Sequence, residues 1–262
     1  MSQTKIKQKQ VSGGLDGWIP IGDFGNYTFT ASGSEVSSGT NQFLVSWNDS
    51  MSLLSYVNAG MKIKWTQNGT VRYGIIHYAD ADAGTSYTEM QIFGGSDYDV
   101  LDTSTYPVSN IYISRDKSPF GFPISPSKWE IVVKDTTLRT TSATSGTWYN
   151  LGSLSIPVPI GSWKLSFVVA SRHIYASGSS TAQLFTALST STSSATNSSL
   201  ECWNASGDLG NVTCNFHAND QVNVSSATVY YLIIKGVFAG TNTLRFENGE
   251  SACVIRAENA YL

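Results

Sequence analysis

The chain has 262 residues, 41% of them hydrophobic and 12% aromatic, with a formal net charge of -3. Disordered chains combine low hydrophobicity with high net charge, and this sequence has neither, so it is a folded protein. Charged residues make up only 13%, against about 25% in ordinary soluble domains, and the near-neutral balance argues against a nucleic-acid partner, whose phosphates need clustered Lys and Arg.

Residues 1–17 carry Lys5, Lys7 and Lys9 with little to bury. Ile6 and Val11 alternate with them, and the expectation is an extended arm anchored on another subunit or docking protein. A frayed terminus is the other reading of the same residues. No apolar run follows the basic start, so no secretory signal is expected. No stretch reaches the roughly 20 apolar residues of a membrane-spanning helix.

From residue 18 onward, short β-branched and aromatic runs alternate with Gly, Asn, Asp and Ser turns, the pattern of strands. Asn26 to Thr30 is the first such run. Single helical turns are expected at Ser50 to Tyr56 and Tyr98 to Thr103. Met61 to Gln67 and Val71 to Tyr78 flank Asn68-Gly69-Thr70. Asn-Gly readily adopts the left-handed backbone of a tight turn, which predicts a hairpin here. Thr88 to Phe93 and Ile111 to Ser114 continue the series.

The pattern breaks over residues 118–127, where Pro119, Pro123 and Pro126 cannot donate to a sheet ladder. This segment is the predicted linker, docked by Phe120 and Phe122, between a connector domain at 18–117 and a second domain at 128–262. Strands resume at Trp129 to Lys134, Ser162 to Ala170 and Ala182 to Leu188. After a polar loop at 189–199 come Leu200 to Asn204, Gly210 to Phe216 and the apolar Thr228 to Phe238. Thr243 to Glu247, the turn Asn248-Gly249 and Ala252 to Ala257 complete the series. The predicted class is all-β, as two antiparallel β-sandwich or barrel domains.

The residues that carry chemistry are sparse. Cys202, Cys214 and Cys253 cannot all pair and are expected as reduced, buried thiols. Cys202, Cys214 and His217 match no zinc spacing. His77 and His173 lie in or beside strands, with no nucleophile elbow or phosphate loop in the sequence. Asp80, Asp82, Asp97, Asp99 and Asp102 read as solvated turn residues, and a calcium site is the open alternative. No cofactor, metal or catalytic residue is therefore assigned. The triplets starting at Asn26, Asn68, Asn197, Asn211 and Asn223 fit a glycosylation pattern, but a chain rich in Asn, Ser and Thr generates them by chance.

Seven tryptophans are spread along the chain, and most lie within strand runs as core residues. Trp148, Tyr149, Trp203 and Asn204 lie near predicted loops. There an exposed ring can stack on a sugar face, which makes these four the candidate receptor or glycan contacts.

Leu15 to Pro20, Lys62 to Gln67, Val71 to Ile76, Gly95 to Tyr98, Ile111 to Ser114 and Pro119 to Pro123 follow in an order and spacing that resembles a small β domain of bacteriophage structural proteins. The likeness covers about the first 125 residues. It departs at Ile124-Ser125-Pro126, where the family continues with Trp. Gly161 to Ser166 and the strands near Tyr230 and Phe246 resemble the jelly-roll-like terminal sandwich of phage fibre and collar proteins. The resemblance implies a virion protein, commonly a homotrimer, serving as tail fibre, receptor-binding component or head fibre. Its implied partners are further copies of itself, other tail, collar or capsid proteins and a host-surface glycan, with no membrane insertion. Capsid decoration, a carbohydrate-binding module and a polysaccharide depolymerase stand as the alternatives.

Overall fold

The computed structural model describes residues 17–20, 29–30, 41–46, 57–81, 87–94, 101, 105–106, 108–152, 154–175, 182–206, 212–225, 227–240, 242–248 and 252–262. The expected anchoring arm with Lys5, Ile6, Lys7, Lys9 and Val11 lies outside them. So do the expected helical turn at 50–56 and, except for Leu101, that at 98–103. Among the described residues there is no α-helix, only 3-10 turns at Pro126–Lys128 and Ser198–Leu200. No helix among the described residues is long and apolar enough to cross a membrane. The protein is all-β, in several antiparallel sheets.

The chain divides into two compact units. The first comprises residues 1–129, 159–162 and 261–262. Its strands are β1 (Ile19–Pro20), β2 (Phe29–Thr30), β3 (Asn41–Ser46), β4 (Lys62–Gln67), β5 (Thr70–Ala81), β6 (Tyr87–Phe93) and β7 (Val108–Ser114). They form one sheet in the order β1-β7-β4-β5-β6-β3-β2. The sheet is open, so the barrel alternative gives way to an antiparallel sheet with two edges.

Local turn chemistry sets its central hairpin. Gln67 pairs with Thr70, which leaves Asn68 (φ 49°) and Gly69 (φ 69°) as a two-residue turn. Positive φ at both positions is what this tight turn needs. The period-2 pattern of β4 then sends Ile63, Trp65 and Gln67 to one face. Ile63 and Trp65 join Val57, Met61, Ile76, Met90, Ile92, Val108, Ile111 and Ile113 in the core.

Buried amides need partners, and Gln67 has them. Its Nε2 donates to the carbonyls of Leu101 and Tyr106, both at 2.9 Å. Its Oε1 accepts from the Leu101 amide at 3.0 Å.

The opposite face of β4 carries Lys62 and Lys64. The Lys64 ammonium lies 4.6 Å from the ring centroids of both Trp18 and Tyr112. Phe122 stacks on Trp129 at 5.0 Å, and Trp129 Nε1 donates to the Pro123 carbonyl at 2.7 Å. Of the two phenylalanines expected to dock the Pro-rich segment, only Phe122 is buried. Phe120 is 81% exposed and contributes through its backbone, whose carbonyl accepts from Trp18 Nε1 at 2.8 Å.

Gly74 sits at the crowded centre of this sheet. An added Cβ there would lie 2.3 Å from Ile92 Cγ2, 3.2 Å from the Phe93 carbonyl and 3.3 Å from Trp65 Cζ3. The backbone carbonyl and the buried indole have little room to yield. Gly74→Ala is therefore expected to destabilise by about 1–3 kcal/mol, the usual cost of overpacking, measured by denaturant unfolding.

The second unit comprises residues 130–158 and 163–260. Its strands are β8 (Glu130–Asp135), β9 (Arg139–Ala143), β10 (Trp148–Tyr149), β11 (Ser155–Val158), β12 (Gly161–Tyr175, which begins in the first unit) and β13 (Ala182–Ser189). These are followed by β14 (Glu201–Ser206), β15 (Val212–Val224), β16 (Thr228–Val237), β17 (Asn242–Phe246) and β18 (Cys253–Asn259). One sheet runs β8-β18-β12-β17-β9, with β15 also on β12. The other runs β10-β16-β13-β14, with β11 also on β16.

Alternation explains the first of these sheets. Residues 253, 255, 257 and 259 of β18 are buried, and the residues between them are partly exposed. Trp163, Leu165 and Phe167 of β12 bury the same way. Their counterparts Leu184, Leu188, Leu232 and Ile234 come from the other sheet. Across the two layers, the buried hydroxyls of Ser171 and Thr186 lie 3.1 Å apart, so each satisfies the other inside an apolar core.

Two carboxylates are held in the second unit by arginines. Asp135 Oδ2 accepts from Arg139 Nε at 2.8 Å, and its Oδ1 accepts from the Thr137 amide at 2.9 Å. Desolvation pushes this carboxyl up, but the Arg139 and Thr137 donors outweigh it and hold the pKa below the ordinary value. Glu247 lies between Arg172 and Arg245, at 3.4 and 3.5 Å.

Candidate functional site

The candidate site is a row of side chains crossing the four-stranded path of the second unit's smaller sheet. Trp148 of β10 is directly opposite Lys235 of β16. Lys235 is opposite Phe185 of β13, and Phe185 is opposite Trp203 of β14. Directly paired residues project from the same face, so register alone aligns the four.

Their geometry is that of a continuous platform. The rings of Trp148 and Phe185 meet edge to face at 6.4 Å. Phe185 and Trp203 stack at 6.2 Å with 25° between planes. Between the first two rings lies the Lys235 ammonium, 4.5 Å from the Trp148 centroid and 4.1 Å from that of Phe185. Each ring presents negative π density to the cation, which fixes the lysine without a carboxylate. Trp148, Lys235 and Phe185 are half-buried, and Trp203 is 62% exposed. A large indole left this open is not filling a core, and its face is available to a ligand.

The structure places the four sequence-selected residues in strands rather than loops. Trp148 and Tyr149 form β10, and Trp203 and Asn204 lie within β14. Consecutive strand residues point to opposite faces, so only Trp148 and Trp203 share the row. The Tyr149 hydroxyl instead accepts from the Thr144 amide at 2.8 Å, which lowers its pKa. Asn204 donates to Cys214 Sγ at 3.3 Å.

Sequence reasoning missed Phe185 and Lys235, which join the two tryptophans. One signal was present: Lys235 is the lone charge in an unusually apolar strand. Its partners depend on pairings across β10, β13 and β14 that no local pattern encodes.

The remaining sequence candidates do not assemble a second centre among the described residues. Among the described residues, no three His, Cys, Asp or Glu side chains are grouped to hold a metal. Cys202 donates its thiol to the His217 carbonyl at 2.9 Å, and burial raises its pKa. Burial likewise pushes the Cys253 thiol up to about 12. All three cysteines are free, with Cys214 and Cys253 buried and Cys202 partly so. His77 lies in β5 at an irregularity, since the register with β6 shifts between Ile76 and Tyr78. That bulge turns the ring inward, where Nδ1–H donates to the Ile160 carbonyl within the first unit. His173 stacks on Phe238 at 5.2 Å in the core of the second unit. Of the acidic cluster, Asp80 falls in β5, and Asp82, Asp97, Asp99 and Asp102 lie outside the described residues.

The sequence matches no protein-family model, and no curated protein matches it. Among solved structures, the chain is similar to the VP2 subviral particle of infectious bursal disease virus, with a TM-score of 0.28 and 11% identity, over 84% of this chain and 60% of that one. It thus spans less than two thirds of that chain. Dimeric latent PorU from Porphyromonas gingivalis gives a TM-score of 0.30 and 9% identity, over 98% and 26% of the two chains. The tandem CBM22-1-CBM22-2 domain of Xyn10C from Paenibacillus barcinonensis gives 0.18 and 9%, over 96% of both. Likenesses this distant carry no functional argument, and the reading of this chain rests on its own residues.

Proposed function

We propose that the chain is a non-catalytic structural component of a bacteriophage virion, a tail-fibre or receptor-binding protein assembled as a homotrimer. The observation that carries its adhesive role is the aromatic row from Trp148 to Trp203, which ends in the exposed Trp203 indole. Such a row built on regular strands is suited to holding a surface rather than enclosing a substrate. The sequence resemblance over the first 125 residues supports the virion assignment. A charged fraction of only 13% supports assembly, because interface cores are depleted of charge.

Adhesion through an open row of this kind is weak per site. Repeated on each subunit and each fibre, it gains avidity without a deep pocket. In this reading residues 1–17 anchor the chain to the particle, and the second unit carries the contact face. A head fibre or capsid decoration protein would share these features.

Antibody labelling of purified particles of the encoding phage tests the assignment. Label on tail fibres of intact particles is the expected result, and particles devoid of the chain would overturn it. The aromatic row also favours a second reading, a carbohydrate-binding module with no virion role. Saccharide binding by an isolated monomer at full strength would favour the module.

A further inference from the structure

We infer that the Trp148–Lys235–Phe185–Trp203 row binds an acidic polysaccharide, with a pyranose ring seated on the open face of Trp203 and a sugar carboxylate held by Lys235. This deepens the adhesive reading above and rests on it. The ring faces alone would take any pyranose, because their π density attracts the polarised C–H bonds of a sugar's flat side. Lys235 adds the selection. Its ammonium lies between two ring faces, and no carboxylate is ion-paired with it among the described residues. The rings hold the cation in place and leave its charge unneutralised, and an ammonium carries three N–H donors. Charge complementarity therefore points to a ligand anion.

The layout also sets the direction of the ligand. Trp203 lies two strands from Lys235 in the row, about 10 Å at the usual spacing of neighbouring strands. A sugar stacked on the open indole and a carboxylate at Lys235 must then belong to different residues of one chain, so the ligand is an oligosaccharide laid across the strands. Glu201 sits two positions before Trp203 on the same face. Its carboxylate repels an acidic group and accepts hydroxyls, so the sugar over Trp203 presents hydroxyls there while the anion lies toward Lys235.

Titration calorimetry of the full chain with hexasaccharides of polygalacturonate and of a neutral β-glucan, at low ionic strength, tests this. A charge-assisted hydrogen bond predicts about tenfold tighter binding of the acidic probe. Lys235→Met is expected to abolish that preference, and Lys235→Arg is expected to retain it. Glu201→Gln is expected to strengthen acidic binding, and Trp203→Ala to weaken both probes. Thermal melts confirm that each variant is folded. Equal affinity for the two probes, no binding of either, or an unchanged preference in folded Lys235→Met would overturn the inference. Those outcomes leave the virion reading to the particle-labelling result, whereas acidic selectivity in a chain absent from particles would sink the virion reading alone.

Discussion

Trp203→Ala is expected to reduce adsorption of the labelled chain to host cells at least about tenfold, the effect of losing about 1.4 kcal/mol at a single site, without lowering its melting temperature. Both halves follow from exposure. Trp203 is 62% exposed, so its removal opens no cavity and unburies little apolar area. The indole is nonetheless the most accessible ring of the row, and the stacking face disappears with it.

Trp163→Ala provides the contrast. Trp163 is fully buried, and truncating such a residue costs about 3–5 kcal/mol through lost burial and a residual cavity. That variant should unfold early, and its loss of adsorption would follow its loss of folded protein. Wild-type adsorption by folded Trp203→Ala would mean that the row is not the contact face.

Acidification is expected to remove about 3 kcal/mol from the first unit as the pH falls from 6.5 to about 4, through His77 alone. Desolvation by burial is the main cause of its depressed pKa. The Ile160 carbonyl opposes the shift, the Lys62 charge adds to it, and the result is a pKa of about 4. The sign follows from where the proton goes. Between pH 6.5 and 4 the unfolded imidazole is protonated and the folded one is not, so each step down in pH favours the unfolded chain.

Urea unfolding at pH 7 and pH 4.5 measures this effect, and His77→Leu should flatten it. A wild-type stability unchanged between those two pH values would contradict the buried, neutral assignment. Two other groups act in separate windows. Asp135, with its lowered pKa, adds a loss that begins only below the ordinary carboxylate value of 3.8. Lys62 is lowered to about 8 by burial, with Lys117 adding to the shift. The folded lysine therefore sheds its proton first, and stability rises with pH between about 8 and 10.5.

The parts of this fold that local chemistry specifies were legible in the sequence. Asn68-Gly69 is a complete instruction for a two-residue turn. The alternation in Met61 to Gln67 identifies which side chains enter the core. The all-β class follows from many such segments in series. Features that depend on distant pairing were not legible. The bulge at His77 arises from how β6 lies on β5, and the sequence of β5 alone reads as an uninterrupted strand. Phe120 and Phe122 look equivalent on paper. Only their positions around the turn at Gly121 (φ 81°) send one inward to Trp129 and the other outward.

The candidate site shows the same division. Trp148 and Trp203 stand out by residue type, but their neighbours Tyr149 and Asn204 looked equally suitable until strand direction separated them. Phe185 and Lys235 had no reason to be grouped with either tryptophan. Register across four strands, which pairs residues far apart in the chain, is a tertiary property.

Assembly is the claim on which the proposed adhesive mechanism depends, because weak sites need to be repeated to hold a surface. Sedimentation equilibrium of the full chain measures it directly. The expected mass is three times that of the 28.3 kDa chain, independent of loading concentration. A single species at 28.3 kDa across that range would contradict the account.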